Sequence, residues 1–368
     1  MTKRSSRARR SASCLLLALI MALSLALTGC GGGTADSPGS ADSGTQASGS
    51  STTTLKLQGL GGSPNNTDAP TIGIEQGFFA AEGLALENVG NIQVPQWVPS
   101  LENGDIDACL IMTSEGLAAI DNGANIIAVA GGSETYSSDN THMTFLALKD
   151  NDDIRTFAEV GAEVGEDFVG KRYASPNALG GCTVGFPLEL MRQAGVEDPL
   201  NQFASNVTVP EAELVETLLR GDVDIVGTHL VPRVVQEQYG DEVKIVFSDY
   251  DILGELGGDM EWYMRRDYVD ANPDIVRSFV AAIATTNNFI DDNPEEAGEI
   301  YKEATINIYQ GSINDDFFNV RHYAKDGLIR EAHTQLWIDL LGNPGQVQQF
   351  KTRLTFDQVA TNEFNAKA

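Results

Sequence analysis

Apolar and polar positions in residues 68–88 alternate in a way that predicts a helix followed directly by a strand. Apolar side chains recur at helical spacing at Ile74, Phe78 and Ala81. Asp68 is a suitable helix cap, and Gly83 provides a left-handed stop. Leu84 and Leu86 then alternate as in a half-buried strand. The segment is half of a βα unit and predicts an α/β fold.

Strand and helix patterns alternate through most of the chain. Runs typical of strands lie at 54–60, 84–88, 105–112, 126–130, 171–175, 206–209, 243–247 and from 262 onward. Helical patterns separate them, including one from Thr113, one over 183–193 and a long amphipathic pattern up to 297. This alternation predicts parallel sheets covered by helices.

One joint between a helix and a strand occurs twice in the chain. The sequence SLENGDIDA at 100–108 returns as TLLRGDVDI at 217–225. The repetition predicts two similar lobes; the alternative is a chance recurrence, because helix–Gly–Asp–strand is a common joint in α/β proteins.

Two segments, 142–149 and 259–265, are placed to carry the chain between such lobes. They predict a discontinuous lobe I, residues 54–145 and 265–368, around a lobe II of residues 146–264 that includes the hinge crossings. A chain of this length is large for one core, which also favours two lobes.

The N-terminus has the features of a bacterial lipoprotein signal, predicted for residues 1–29. A basic start precedes the apolar run from Cys14 to Leu27, which is too short to cross a bilayer comfortably. The sequence Leu-Thr-Gly-Cys then matches a lipobox and makes Cys30 the lipidation site. Residues 30–53 are rich in Gly, Ser and Thr and predict a flexible tether. An ordinary secretory signal that happens to contain a cysteine is the alternative.

The chain is strongly acidic, with a net charge of −28. Loss of the basic leader makes it more negative, which excludes nucleic-acid binding through backbone phosphates. Beyond the signal, Cys109 and Cys182 are the remaining cysteines, and we expect free thiols in different lobes.

No constellation of residues indicates catalysis, a metal or a cofactor. The histidines at 142, 229, 322 and 333 are scattered, and no zinc-binding spacing, nucleophile elbow or phosphate-binding loop is present. The sequence therefore predicts a protein that is not an enzyme, with neither metal nor cofactor.

Loops at the carboxyl ends of strands are the candidate binding positions, because helix N-termini there direct N–H groups into a crevice. The candidate ligand-binding residues in these loops are Asn65, Asn66, Thr113, Ser114, Asn177, Gly180, Gly181, Cys182 and His229. Cys182 at a helix start is either a thiol of lowered pKa or a buried, inert one. Aromatic side chains that could form the walls are Trp97, Tyr136, Tyr173 and, beside the predicted hinge, Trp262.

The chain resembles bacterial solute-binding proteins of the nitrate, sulfonate and taurine class. The resemblance rests on EQGFFAAEGLALENV at 75–89, DFVGKRYA at 167–174, GDVDI at 221–225, ANPDIVRSFVAAI at 271–283 and TNEFN at 361–365. It implies a type II periplasmic-binding-protein fold with a two-crossing hinge. It also implies delivery of a small anion to the permease of an ABC importer. Together with the lipobox, we expect an extracytoplasmic, membrane-anchored monomer.

Two alternatives to an anion-binding protein remain at the level of sequence. PNNTDAP at 64–70 resembles binders of a thiamine-pyrimidine precursor, although Asp68 stands where a histidine is expected. An extracytoplasmic enzyme of the related pyrimidine-synthase group is the other. Acidic residues at 259 and 261 suit an amino-bearing ligand better than a pure anion.

Overall fold

The computed structural model describes residues 52–60, 68–135, 137–139, 141–177, 181–258, 260–309, 322–342 and 350–368. Residues Ser50–Ala368 form one compact unit. The predicted signal peptide and nearly all of the tether lie outside the described residues, as do the following candidates: Cys30, Asn65, Asn66, Tyr136, Gly180. Within the described part, no helix is both long and apolar enough to span a bilayer.

Twelve strands are described. They are β1 (Thr53–Leu57), β2 (Leu84–Asn88), β3 (Ala108–Met112), β4 (Ile126–Gly131), β5 (Ser133–Glu134), β6 (Thr144–Leu148), β7 (Arg172–Ser175), β8 (Ser205–Thr208), β9 (Ile225–Thr228), β10 (Val243–Ser248), β11 (Met260–Arg265) and β12 (His322–Tyr323).

The α-helices of the described residues surround these strands. They are α1 (Asp68–Glu75), α2 (Phe78–Ala81), α3 (Trp97–Asn103), α4 (Thr113–Asp121), α5 (Phe157–Val160), α6 (Cys182–Gln193), α7 (Leu214–Leu219), α8 (Pro232–Tyr239), α9 (Asp249–Leu253), α10 (Arg266–Ala271), α11 (Pro273–Asp292), α12 (Pro294–Tyr309), α13 (Glu331–Gly342) and α14 (Phe356–Val359).

Lobe II is built on a five-stranded sheet with the order β8-β7-β9-β6-β10. β7 pairs in parallel with both β8 and β9. β6 runs antiparallel to both of its neighbours, β9 and β10. The sheet is therefore mixed, with one reversed strand in the fourth position.

Lobe I repeats this order. β1 pairs in parallel with β2, and β11 lies between β3 and β4, antiparallel to both. β1 joins β3 because the Lys56 N–H donates to the Asp107 carboxylate, while the Asp107 N–H donates to the Lys56 carbonyl. The spatial order is β2-β1-β3-β11-β4, which matches lobe II position by position.

The sheets correct two of the sequence-based predictions. They are mixed and not wholly parallel, because the strand that follows each passage between lobes, β6 or β11, enters its sheet in the reverse direction. Pairing with β3 and β4 also places 260–264 in lobe I, whereas the sequence assigned these residues to lobe II. Among the described residues, the crossings are thus 135, 137–139, 141–143 and 249–258.

The repeated helix–strand joint occupies equivalent places in the two lobes. Asp107 precedes β3 and Asp224 precedes β9, the third strand of each sheet. The Asp224 carboxylate accepts the Arg172 N–H at 2.8 Å, and its own N–H donates to the Arg172 carbonyl at 2.9 Å. Asp107 makes the same two bonds to Lys56. The repeated sequence therefore encodes one way of attaching the strand in the third position to the strand in the second, β3 to β1 and β9 to β7.

The opening segment differs in detail from its prediction. Gly77 has φ 75° and ends the helical run, so α1 and α2 are separate helices. The break changes which face is buried: Ile72 and Phe79 enter the core, whereas Ile74 remains 38% exposed. Gly83 has φ 74° as predicted for a left-handed stop, and β2 follows directly.

The largest core cluster extends from one lobe to the other. Phe186 of α6 packs on Trp337 of α13, with ring centroids 5.5 Å apart, and the Trp337 indole N–H donates to the Gly257 carbonyl. α13 thus joins lobe I to lobe II.

Candidate functional site

A cavity of about 650 Å³ opens between the two lobes. Its wall takes residues from lobe I, from lobe II and from the crossings. The wall is formed by Gln58, Asn91, Ile92, Gln93, Val94, Pro95, Trp97, Met112, Glu115, Ser133, Glu134, Thr135, Thr141, His142, Pro176, Asn177, Cys182, Thr183, Thr208, Glu211, His229, Gly258, Met260 and His322.

Some of the candidate residues from the sequence meet at this cavity. Asn177, Cys182 and His229 line it, and Trp97 forms part of its wall. Gly181 immediately precedes Cys182 and adopts φ 65° and ψ −153°, and a Cβ on it would collide with the Glu115 carboxylate. This loop end is therefore at the cavity.

Other candidates do not reach the cavity. Thr113 and Ser114 are buried in the first turn of α4 below it, where Thr113 hydrogen-bonds the Glu261 carboxylate. Glu115, the next residue of that turn, lines the cavity instead. The predicted turn after β3 therefore reaches the cavity through Glu115 and not through Thr113 or Ser114.

The structure places Trp262 and Tyr173, which were expected at the cleft, in the cores of the lobes and not among the lining residues of the cavity. Trp262 is 1% exposed in β11, and its ring meets Phe279 of α11 edge-on at 5.6 Å, inside the core of lobe I. Tyr173 is fully buried in the sheet of lobe II. Large aromatic side chains follow the core face of their strands here, although β11 lies beside the hinge.

His229 is held in a defined orientation after β9. Its Nδ1 lies 2.9 Å from the Glu211 carboxylate, which also accepts its backbone N–H at 2.8 Å and the Thr228 hydroxyl. Burial opposes ionisation of Glu211, but the bonds from His229 and Thr228 outweigh it and lower the pKa of this carboxyl. With Nδ1 directed at Glu211, Nε2 is the nitrogen that faces the cavity side.

A second histidine, His142, approaches the same place from the first crossing. Its Nε2 lies 3.3 Å from the Cys182 sulfur, and the His229 Nε2 lies 3.9 Å from the same sulfur. The two imidazole rings are perpendicular, with centroids 5.2 Å apart. His142 was not among the predicted site residues, because 40 residues separate it from Cys182 along the chain.

Cys182 is a buried, protonated thiol. Burial raises its pKa well above the ordinary value, and the carboxylates of Glu115 and Asp249 add to the effect. The lowered pKa that its position at a helix start suggested is therefore not found. Cys109, also a free thiol, lies buried in β3 of lobe I, so the two cysteines belong to different lobes as expected.

The charged groups on the cavity wall are carboxylates. Glu115, Glu134 and Glu211 line the cavity, and none of its described lining residues is lysine or arginine. Glu134 pairs with Arg330 behind the wall at 2.7 Å. Burial still raises the pKa of Glu134 to about 7, because the loss of hydration outweighs this partner. Burial raises the pKa of Glu115 as well.

Asp249 ties the two crossings together beside the cavity. Its carboxylate accepts the Met143 N–H and the Thr135 hydroxyl, both at 2.8 Å, across from one crossing to the other. Complete burial raises its pKa to about 6, although these hydrogen bonds pull in the opposite direction.

Comparison with known proteins defines the family of this chain. Residues 69–297, more than half of its length, match the family described as NMT1/THI5 like. The chain belongs to this family. No match was found among curated protein sequences. The sequence-based recognition is confirmed.

Solved structures share the fold of this NMT1/THI5-like protein at low sequence identity. The alkanesulfonate-binding protein SsuA of Xanthomonas axonopodis, bound to MOPS, is 13% identical, with a TM-score of 0.61 over 84% of this chain and 98% of that one. The nitrate-binding protein NrtA of Synechocystis is 18% identical, with a TM-score of 0.58 over 85% and 87%.

A third similar structure is the zinc-bound ligand-binding component of an ABC-type import system from Staphylococcus aureus. It is 14% identical, with a TM-score of 0.61 over 86% of this chain and 99% of that one. Together these structures confirm the predicted periplasmic-binding-protein fold with two lobes and a hinge.

Proposed function

We propose that this protein is the extracytoplasmic solute-binding component of an ABC importer. The observation that supports the proposal most directly is the cavity between the lobes, whose wall comes from both of them and from the crossings. A solute in this position contacts both lobes only when they are closed. Its binding therefore favours the closed form and presents a closed, loaded protein to a permease.

The wall supports an amino-bearing or neutral heterocyclic solute over a simple anion. Three carboxylates line the cavity, and its described lining offers an anion no lysine or arginine. Trp97 and Ile92 add apolar surface, and Gln58 and Asn177 add amides that can donate and accept hydrogen bonds. A pyrimidine with an exocyclic amine suits this set of groups. An aliphatic sulfonate, taurine or nitrate, the class implied by resemblance, is the competing ligand.

A thermal-shift panel separates these ligand classes. We expect aminopyrimidines to raise the melting temperature of the purified protein, since a ligand at a hundred times its Kd adds about 2.7 kcal/mol of stability. Nitrate and alkanesulfonates should give no shift. A shift with only the anions would restore the ligand class implied by resemblance.

A separate experiment tests whether the protein binds its ligand without converting it. No conversion of the stabilising compound should be detected by mass spectrometry after long incubation with the protein. Appearance of a product in the absence of a transporter would support the enzyme alternative.

The proposed location is the outer face of the cell membrane, with Cys30 as the lipid anchor and a monomer at the end of a flexible tether. In bacteria that express the gene, wild-type protein should fractionate with membranes and the Cys30→Ala variant should be soluble. Membrane retention of the variant would rule out lipidation at this residue.

A further inference from the structure

We propose that His142, Cys182 and His229 form a binding site for a divalent transition-metal ion such as Zn²⁺. The donor atoms of these side chains all lie within 4.8 Å of one another. Zn–S bonds of about 2.3 Å and Zn–N bonds of about 2.0–2.1 Å at tetrahedral angles separate sulfur and nitrogen by about 3.6 Å. The two nitrogen–sulfur separations here, 3.3 Å and 3.9 Å, bracket that value.

Carboxylates hold both histidines in place for this role. Glu211 bonds the backbone N–H and the Nδ1 of His229, so that Nε2 is left to coordinate. A carboxylate on the far nitrogen is the usual support of a metal-binding imidazole, and it fixes both tautomer and ring direction. Asp249 accepts hydrogen bonds from the backbone of His142 and Met143, which fixes the segment that carries the other imidazole.

The side chains around the proposed site favour a divalent transition-metal ion. One sulfur and two imidazole nitrogens select borderline ions such as Zn²⁺ and Co²⁺ over Mg²⁺ or Ca²⁺, which prefer oxygen. Glu115 and Glu211 line the same cavity and add negative charge. On binding, the Cys182 thiol releases its proton to solvent and coordinates as thiolate.

The proposed site has three protein ligands and faces the cavity, which leaves a fourth position for water or for a donor atom of a solute. The site goes beyond solute capture, because the ion is bound whether or not an organic ligand is present. If the protein does not bind a metal ion, the proposed role as the solute-binding component of an importer is not affected.

Cobalt provides a direct spectroscopic test. Purified full-length protein, freed of metal with a chelator, is titrated with Co²⁺ and then with Zn²⁺. We expect one ion per chain, a near-ultraviolet sulfur-to-cobalt charge-transfer band, loss of the band when Zn²⁺ displaces Co²⁺, and no competition from Mg²⁺. Absence of the charge-transfer band in wild-type protein would overturn the proposal.

Matched variants show whether these three side chains are the ligands. Cys182→Ser, His142→Ala and His229→Ala should each lose the band while retaining the wild-type circular dichroism spectrum. Cys109→Ser, at the other buried cysteine, and His322→Asn, at a histidine elsewhere on the wall, should keep it. Glu211→Gln should keep the band but weaken Zn²⁺ binding about 10–100-fold. A band that survives Cys182→Ser, or that vanishes in Cys109→Ser, would contradict the assignment.

Discussion

Gly181 shows how a single backbone conformation shapes the site. Its φ of 65° and ψ of −153° lie in a region that is essentially restricted to glycine. The residue directly precedes α6 as its N-cap, and Cys182, the first residue of the helix, lines the cavity. A side chain at this position would also meet Glu115, so no substitution here alters ligand access alone.

The Gly181→Ala variant should therefore lose stability. We expect its free energy of unfolding to fall by about 1–3 kcal/mol, measured by urea denaturation. Gly185→Ala, one turn into the same helix, is the control, because its Cβ would have only an ordinary contact with Trp337 at 3.8 Å. That variant should gain about 0.5–1 kcal/mol. Equal changes in the free energy of unfolding for Gly181→Ala and Gly185→Ala would contradict a strained conformation at Gly181.

Asp249 makes the hinge sensitive to pH. Its pKa is about 6 in the folded protein against 3.8 for an ordinary aspartate. Between these values the folded state binds a proton that the unfolded state does not, so stability falls as pH rises through this window. The contribution is fully present below pH 4 and lost above pH 6.

Asp249→Asn should remove this dependence. The stability of wild type relative to the variant should rise by up to about 3 kcal/mol as the pH is lowered from 7 to 4. Urea denaturation curves of both proteins at intervals across this range measure the difference, in which carboxyls common to both cancel. A difference that is flat with pH, or that falls toward pH 4, would contradict the assigned cause.

The long helix α11 is secured to the sheet of lobe I by one buried amide. Asn287 donates to the Gly131 carbonyl at the end of β4 and to the Ala324 carbonyl after β12, each at 3.1 Å. It is completely buried, so these carbonyls have no access to water when the amide is removed. A polar residue in an apolar stripe thus fixes where the helix lies.

Asn287→Leu should cost about 1–3 kcal/mol of unfolding free energy, because the change keeps the size but leaves two carbonyls without this donor. Thr285→Ala on the exposed side of the same helix should stay within about 0.5 kcal/mol. Chemical denaturation of both variants provides the comparison. A loss in Asn287→Leu no greater than that in Thr285→Ala would show that the amide does not anchor α11.

Local sequence patterns were sufficient to predict most helices and strands. The differences between prediction and structure arise from packing between segments that are distant in sequence. The alternation at Leu84 and Leu86 and the stop at Gly83 depend on neighbours in sequence and were predicted correctly. The reversal of β11 and the burial of Trp262 depend on strands that are distant in sequence. Periodicity does not carry that information.

Only part of the cavity lining could be predicted, because some of its residues come together only through long-range packing. Strand ends with Asn177, Cys182 and His229 were recognisable, since the carboxyl ends of strands face a crevice. His142 comes from the crossing and Glu115 from the third position after the end of β3, and only the folded arrangement of the lobes brings them to the cavity.

At the scale of the whole molecule, two lobes of the same strand order enclose a cavity rich in carboxylates. Crossings tied by Asp249 and a shared core at α13 connect the lobes. Under the proposed function, the protein closes on a solute by adjusting a few residues of the crossings. In the proposed function, the solute occupies this cavity.

Calorimetric titration of paired variants at the cavity mouth tests that claim most directly. Thr208 lines the cavity, whereas Val207, the preceding residue of β8, does not and is 41% exposed. With the best stabiliser from the thermal-shift panel, wild type and Val207→Trp should bind one molecule per chain with equal affinity. Thr208→Trp should bind at least tenfold more weakly. Unchanged affinity in a folded Thr208→Trp variant would contradict a ligand site between the lobes.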